Sequence, residues 1–306
     1  MRFPLIVGVV FIHAYVTEVS LSSGNVGVLY SGGVSNFVRD LISQGIARVA
    51  VPLFFLMSGY FFFLNFKWTI SNYQNKVLTR IRTLLIPFLF WNLFALLLLA
   101  IAQSIPATQV FFSGNSLSIS SFGLYDYFNA IFGIDRAPIS YQFWFIRDLI
   151  VLILLVPLIQ LIIIIVPKSF MVLLIWFWLA GLWPLYMPDI QAVTFFCLGA
   201  FIVNTERSLF CLDKYGKIVV AIYIITLLFD VSTKGAYFNG YVHRTGVTLG
   251  VVAILYLTGY VLKYERIKKI LLSVAAASFF VFAIHEPLLT IIRKLWLFQI
   301  PSGLAH

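Results

Sequence analysis

The chain has 306 residues, of which 61% are hydrophobic and only 10% are charged, and its formal net charge is +10 at pH 7. Soluble domains carry about 25% charged residues, so this composition excludes a soluble domain and indicates an integral membrane protein. Apolar runs of roughly 18 to 24 residues recur along the whole length, without a long hydrophilic stretch. We therefore predict an all-α fold, a polytopic bundle of about ten transmembrane helices that forms one domain over residues 1–306.

The predicted spans, in chain order, are residues 3–20, 45–65, 82–104, 141–166, 170–187, 190–204, 217–231, 245–262 and 270–299. The last segment is long for one span and short for two, so the count is nine or ten. The first run lacks a small-residue cleavage site, so we expect it to be a retained span. The connection 105–140 contains the aromatic stretch YDYFNAIFG, which is too short to cross a bilayer. We expect that stretch to be interfacial or re-entrant.

The distribution of cations predicts the orientation of the bundle. Lys and Arg concentrate in the loops 66–82, 205–217 and 263–269, whereas the alternate loops are rich in Gly, Ser and Asn. The positive-inside rule places the basic loops, and with them the N-terminus, in the cytoplasm. We expect a multi-pass protein of the cell membrane, the cytoplasmic membrane of a bacterium.

Because these cations are spread among loops rather than gathered on one face, we expect the lipid bilayer and no nucleic acid as a partner. The two cysteines, Cys197 and Cys211, are too few for a disulfide framework or a Cys-based metal centre. Neither a metal nor a permanently bound cofactor is therefore expected.

The first span, RFPLIVGVVFIH, carries two ionisable side chains. Eleven residue steps separate Arg2 from His13, which on an α-helix leaves them about 20° apart around the axis and roughly 16 Å apart along it. They share one face, which would present a cation at the cytoplasmic mouth and an imidazole near mid-membrane. The alternatives are that Arg2 snorkels to the surface and that His13 makes a helix contact. Ionisable groups at bilayer depth are costly and usually functional, which favours a role for His13.

Two further spans contain polar candidates. The stretch RVAVPLFFLMSGY has Arg48 near the outer end of its span and Ser58 next to a glycine that permits close helix approach. The stretch QFWFIRDLIVLILLVPL contains Trp144, a candidate for the aromatic belt, and the neighbours Arg147 and Asp148. Adjacent helical residues point about 100° apart, so we expect the last two to pair with other spans.

The closing stretch SFFVFAIHEPLL brings a second deep histidine, His285, and a carboxylate, Glu286, directly before Pro287. Two intramembrane histidines are more than helix packing alone usually tolerates. These residues complete the set of candidate functional groups.

The four stretches, in this order, resemble the acyltransferase 3 family of membrane acyltransferases. Its opening Arg-x10-His is matched by Arg2 and His13, and its FF-x-x-SG-aromatic motif by residues 54–60. The basic stretch KVLTRIRTLLIPFLFW, the WF pair at residues 144–145 and the terminal SFFVFAIHEPLL also fit the family's pattern.

There are two departures from the family pattern. Glu286 stands between His285 and the proline that closes the family's last motif. Many relatives also carry an Asp before the FF pair, where this chain has Pro52 and Leu53. No role is therefore carried over from that acid.

The resemblance implies that an acyl group, most simply acetyl, is moved from cytoplasmic acyl-CoA to a hydroxyl of an extracytoplasmic or lipid-linked glycan. Acyl-CoA would be a donor substrate. An imidazole suits proton transfer near neutral pH, so His13 is expected to act as a general base or to carry the acyl group, with His285 and Glu286 assisting. The cations Arg2, Arg80 and Arg82 are expected to bind the CoA phosphates.

A different function class stays open from the residues alone. A proton-coupled transporter, or an exporter of polysaccharides or amino acids, would also need buried histidines, arginines and carboxylates such as Asp148, Asp230 and Glu286. No inverted repeat is visible in its favour. A receptor or scaffold without chemistry would leave two deep histidines unexplained.

Overall fold

The computed structural model describes residues 2–15, 18–22, 24–27, 33–112 and 117–299, and within these ranges the chain is predominantly helical. Its helices are α1 (Arg2–Ala14), α2 (Val34–Arg39), α3 (Ala50–Phe63), α4 (Ile70–Arg80), α5 (Ile86–Ser104), α6 (Leu124–Phe132), α7 (Trp144–Leu154), α8 (Val156–Ile165), α9 (Pro167–Ala180), α10 (Ile190–Asn204), α11 (Gly216–Ser232), α12 (Asn239–Val261), α13 (Glu265–Ala275) and α14 (Ser278–Gln299). The strands β1 (Glu18–Leu21) and β2 (Gly24–Gly27) pair as an antiparallel hairpin that follows α1.

Within the described ranges, four helical stretches are long and apolar enough to cross a membrane, and the number rises to six if each of two bent helix pairs forms one span. The four stretches are Val34–Phe63, Ile70–Ser104, Asp213–Ser232 and Asn239–Val261. The bent pairs are α7 with α8, which meet at 63°, and α13 with α14, which meet at 62°. Three shorter apolar helices, α1, α9 and α10, complete the apolar part of the fold.

The predicted spans overlap these helices, but several boundaries are wrong. The first span was predicted to reach residue 20, whereas α1 ends at Ala14 and β1 follows, so His13 lies in the last turn of its helix. Residues 16 and 17 of that prediction lie outside the described residues. The last segment, predicted to start at residue 270, instead contains the junction of the polar helix α13 with the apolar α14.

The second span was predicted to begin at residue 45, whereas its helix begins at Val34. The intervening residues include polar side chains that interrupt the apolar run, and three of these are buried: Asn36, Asp40 and Ser43. A hydropathy pattern cannot distinguish polar groups that are satisfied inside a bundle from those of a loop. Arg48 therefore lies in the middle of a 30-residue helical stretch and not near its outer end.

Two of the four long stretches, Val34–Phe63 and Ile70–Ser104, depart from α-helical geometry just before a proline. The 3-10 segment Ile46–Val49 precedes Pro52, and the π segment Ile81–Leu85 precedes Pro87. Proline lacks the N–H that bonds the carbonyl four residues earlier, and its ring crowds that carbonyl. The preceding turn is rewound as a result, and Arg48 lies in one of these rewound turns.

Helices α3 and α10 cross at two glycines. A Cβ atom on Gly59 would lie 2.1 Å from the carbonyl oxygen of Phe196, and one on Gly199 would lie 2.2 Å from that of Leu56. Only glycine allows two backbones to approach this closely. The close approach predicted at Gly59 is confirmed, and it places α3 at the centre of the bundle, against the buried side of α10.

The aromatic stretch after α5 forms α6, a helix of nine residues that ends at Gly133 with a left-handed φ of 68°. It is too short to cross a bilayer, as predicted. It packs on α5 through a small apolar cluster of Leu96, Ile119 and Ala130.

Candidate functional site

A cavity of about 130 Å³ opens between α1, the helix containing α3, the start of α7, α10 and α14. Its lining residues are Val9, Ile12, His13, Arg48, Val51, Phe54, Gln142, Trp144, Phe145, Gln191 and Phe282. The four stretches singled out in the sequence all contribute to this wall. The fold therefore brings together residues that are far apart in the chain.

Three side chains form a continuous hydrogen-bonded chain at this cavity. The Tyr141 hydroxyl donates to Glu286 Oε1 at 2.8 Å, and its oxygen lies 2.7 Å from His13 Nδ1. Since a phenol has one hydrogen and the carboxylate receives it, Nδ1–H of His13 must donate to the phenolic oxygen. This tautomer leaves Nε2 of His13 with a lone pair. The second carboxylate oxygen of Glu286 accepts from the Thr290 hydroxyl at 2.9 Å, which fixes its orientation.

The second deep histidine lies beside the first. The rings of His13 and His285 have centroids 5.0 Å apart and are tilted by 55°. His285 Nδ1 donates to the Phe282 carbonyl oxygen at 2.7 Å, so its Nε2 is the acceptor. Among the described residues that Nε2 is buried with no hydrogen-bond partner. An unpaired buried acceptor costs about 1–3 kcal/mol, and this one belongs to a ring that neighbours His13.

Two guanidinium groups flank the histidines. Arg293 donates to the backbone carbonyl of His13 at 2.8 Å and lies 3.9 Å from Glu286 Oε1. Arg48 lines the cavity with His13, and its Nε donates to Gln44 Oε1 at 2.9 Å. Arg293 thus fastens the end of α1 to α14, while Arg48 supplies a positive charge at the cavity wall.

Aromatic rings build the rest of the wall. Phe145 packs on Phe54 at 5.6 Å, on Phe55 at 5.4 Å and on Phe282 at 5.5 Å between ring centroids. Trp144 packs on Phe55 at 6.2 Å. The FF pair of α3 and the WF pair of α7 therefore interlock, and Trp144 lines the cavity.

The cations predicted to bind CoA phosphates lie at the other end of α1 from His13. Arg2 and Arg80 are close enough to interact electrostatically, and so are Arg80 and Lys76. Lys76 also donates to the Phe62 carbonyl oxygen. Arg82 is exposed. The structure thus brings Arg2 and Arg80 together and adds Lys76.

Arg147 and Asp148 belong to a separate buried cluster. The expectation that they pair with other spans rather than with each other is wrong: Arg147 Nη2 lies 2.8 Å from Asp148 Oδ1. Rotation of the long guanidinium side chain overcomes the angle between neighbouring positions on the helix. Asp148 Oδ2 also accepts from the backbone N–H of Asp189 at 2.8 Å, and Arg147 donates to the Gly133 carbonyl oxygen. The pair therefore ties α7 to two loops.

Two other candidates also lie outside the cavity. Ser58 is not among the cavity residues, although its neighbour Gly59 makes the helix crossing. Asp230 is buried and bonds to Lys234 at 2.9 Å and to His243 at 2.8 Å, which joins α11 to α12. Across the described ranges, no group of three or more His, Cys, Asp or Glu side chains is placed to hold a metal ion.

Sequence reasoning missed Tyr141, Arg293 and Thr290. The signal for the last two was available, because Glu286, Thr290 and Arg293 follow the i, i+4, i+7 spacing of one helix face. Tyr141 gave no such signal. It lies in a 3-10 turn before α7, 128 positions from His13 and 145 from Glu286.

The chain is similar to known proteins over nearly its whole length. The family described as "Acyltransferase domain" matches residues 1–305. Succinoglycan biosynthesis protein ExoH from Rhizobium meliloti (strain 1021) is 25% identical over 312 residues, which cover 97% of this chain and 79% of that protein. No solved structure matches this chain. The matched range contains every residue of the cavity and of the hydrogen-bonded chain at His13.

Proposed function

Because this chain belongs to the acyltransferase 3 family, and is an acyltransferase of groups other than aminoacyl groups, we propose that it transfers an acyl group, preferably acetyl, from cytoplasmic acyl-CoA to a hydroxyl of an extracytoplasmic or lipid-linked glycan. The observation that carries this proposal is the His13–Tyr141–Glu286 chain at the cavity. The role of the similar protein in succinoglycan biosynthesis supports a polysaccharide acceptor.

The proposed reaction needs donor and acceptor to reach one cavity from opposite sides of the membrane. We place the N-terminus in the cytoplasm of a bacterial cell and count nine or ten spans, with the short helices α1, α9 and α10 among them. In this orientation Arg2, Lys76 and Arg80 face the cytoplasm, where their charges would bind the CoA phosphates. The rise of α1 places Arg2 roughly 16 Å from His13, so the donor would extend along this helix towards the cavity.

The size of the cavity supports a small acyl group. Its volume of about 130 Å³ is well below the roughly 300–1,000 Å³ of pockets that enclose drug-sized ligands. The nucleotide end of CoA would therefore lie outside this cavity. The aromatic wall excludes water from the thioester, which protects it from hydrolysis.

The chemistry follows from the proposed tautomer of His13. The acceptor hydroxyl oxygen would attack the thioester carbon while its proton passes to His13 Nε2. The Tyr141 oxygen, itself bonded to the Glu286 carboxylate, would hold Nδ1–H and stabilise the imidazolium as it forms. Arg48 would stabilise the negative charge on the carbonyl oxygen. The carbon–sulfur bond then breaks, the imidazolium proton goes to the CoA sulfur, and the ester and free CoA leave.

The test is thiol release from acetyl-CoA by purified protein in micelles, with and without a polysaccharide acceptor. Release should depend on the acceptor, disappear in His13→Ala and fall in His285→Ala. The matched control is His243→Asn, a histidine outside the cavity that should retain activity per folded protein. Wild-type rates from His13→Ala would overturn the assignment. An acyl adduct on His13 in the absence of acceptor would replace the direct route by a covalent one.

The same preparation distinguishes the enzyme from a transporter. An acyltransferase needs no gradient, whereas a porter must respond to one across a sealed membrane. Solute uptake into vesicles without any thiol release would contradict the proposed reaction. A mass spectrum of the envelope glycans with and without this protein would identify acyl group and acceptor together.

A further inference from the structure

A second cavity, of about 410 Å³, lies where α3 and α10 end, beside α8. Its polar lining consists of Asn65, Lys67, Gln160, Asn204 and Glu206. It shares no lining residue with the cavity at His13. Its volume lies within the range of roughly 300–1,000 Å³ that is typical of small-ligand sites, and the proposed acyl transfer does not use it.

One acceptor in this cavity lacks a donor. Gln160 donates through Nε2 to Asn204 Oδ1 at 3.0 Å, which orients its amide. Among the described residues its Oε1 is buried with no hydrogen-bond partner. Because buried acceptors are nearly always satisfied, this oxygen calls for a ligand that brings an N–H or O–H group.

The electrostatics of the cavity favour a cationic donor. Both α3 and α10 end here, and the C-terminal end of a helix carries a partial negative charge. Glu206 adds a carboxylate that forms no ion pair within the described part of the chain. A primary ammonium, with three hydrogens to donate, would satisfy Glu206 and Gln160 Oε1 together.

The same cavity contains one cation. Lys67 lines it, and across the described residues its ammonium group takes part in no ion pair. A ligand that offers only a positive charge would leave Lys67 uncompensated beside it. A ligand with an ammonium at one end and a phosphate at the other would pair with both Glu206 and Lys67.

The surroundings of the cavity indicate that this ligand is part of a lipid. Next to Gln160 on α8, the side chains of Leu161 and Ile164 are 55% and 66% exposed. In a membrane protein such apolar surface faces acyl chains. We propose that this cavity binds the phosphoethanolamine head group of a membrane lipid, with its ammonium at Gln160 and Glu206 and its phosphate at Lys67.

The experiment uses the full chain, delipidated in detergent and titrated with phosphatidylethanolamine or phosphatidylglycerol, with bound lipid counted by native mass spectrometry. Gln160→Leu and Glu206→Gln should each weaken phosphatidylethanolamine binding by about tenfold or more, since each removes an interaction with a charged group. Gln160→Glu should strengthen it, because the ammonium gains a second carboxylate. The affinities of these three variants for phosphatidylglycerol, which has no ammonium group, should not follow the same order.

Two surface variants serve as matched controls. Gln74→Leu and Glu265→Gln change the same residue types at exposed positions outside the cavity, and both should bind the lipid as the wild type does. Wild-type affinity in Gln160→Leu and Glu206→Gln, or weakened binding in Gln160→Glu, would overturn the proposal. Loss of acyl-CoA binding instead of lipid binding would reassign the cavity to the donor. Displacement of the lipid by equimolar soluble phosphoethanolamine would overturn the lipid source.

Discussion

Removal of one hydroxyl tests the hydrogen-bonded chain at His13 directly. In Tyr141→Phe, Glu286 Oε1 loses a donor that lies 2.8 Å away, and His13 Nδ1–H loses its acceptor at 2.7 Å. The ring itself is retained, so its packing on the His13 ring at 5.1 Å between centroids is preserved. The substitution therefore removes the link between imidazole and carboxylate without opening a large cavity.

The size of the effect follows from the nature of the lost bond. A hydrogen bond to a charged group contributes about 1.5–3 kcal/mol, and the imidazolium that needs it forms only in the transition state. Each 1.36 kcal/mol of barrier is a factor of ten in rate, so kcat should fall by about 10- to 150-fold. The KM for acyl-CoA should change little, because Tyr141 contacts His13, which lies at the opposite end of α1 from Arg2.

The assay is acceptor-dependent thiol release from acetyl-CoA, followed in parallel with the thermal midpoint of unfolding. A double-mutant cycle with Glu286→Gln extends the test. If Tyr141 transmits the effect of the carboxylate, the two losses should be clearly less than additive. A wild-type kcat in Tyr141→Phe, or fully additive losses in the cycle, would refute the proposed orientation of His13.

The remaining predictions concern stability and donor binding. Gly59→Ala should lower the thermal midpoint of unfolding, because its Cβ would lie 2.1 Å from a backbone oxygen. Gly246→Ala is the control and should leave the midpoint unchanged, because its Cβ would meet only a side chain, at 3.4 Å. Equal midpoints in the two variants would contradict the close crossing. Asp148→Ala should destabilise the protein by about 3–5 kcal/mol, because it leaves the buried guanidinium of Arg147 without its partner. Chemical denaturation measures this loss, and kcat per folded molecule should be retained. Arg80→Gln should raise the KM for acyl-CoA more than Arg82→Gln, and added salt should raise the KM of the wild type more than that of Arg80→Gln. Equal effects of the two arginine variants would remove Arg80 from the donor site.

Composition and periodicity determined the class of this protein and the general position of its helices. An apolar run must satisfy its backbone hydrogen bonds within itself in lipid, so it is helical wherever it occurs. The shared face of Arg2 and His13 follows from the 3.6-residue repeat once α1 is a helix. The close approach at Gly59 follows from its missing side chain. These are local properties, and local residues suffice to predict them.

Helix ends were less predictable, because they depend on what lies beside the chain. Asn36, Asp40 and Ser43 resemble loop residues by hydropathy, yet they lie buried in the helical stretch that begins at Val34. In the same way, α1 ends at Ala14 rather than near residue 20. Residues 18–21 instead form strand β1, which pairs with β2. Neighbouring elements that satisfy polar groups are not visible in a linear pattern.

The site itself was decided by tertiary structure. His13, His285 and Glu286 were candidates because each is ionisable in an apolar helix, but their connection runs through Tyr141, which occupies an ordinary aromatic position 128 residues from His13. Arg147 and Asp148 fit the same sequence criterion and form a separate structural pair. A hydrogen bond requires two atoms within about 3 Å of each other, and only the packing of α1, α7 and α14 sets that distance between residues so far apart in the chain.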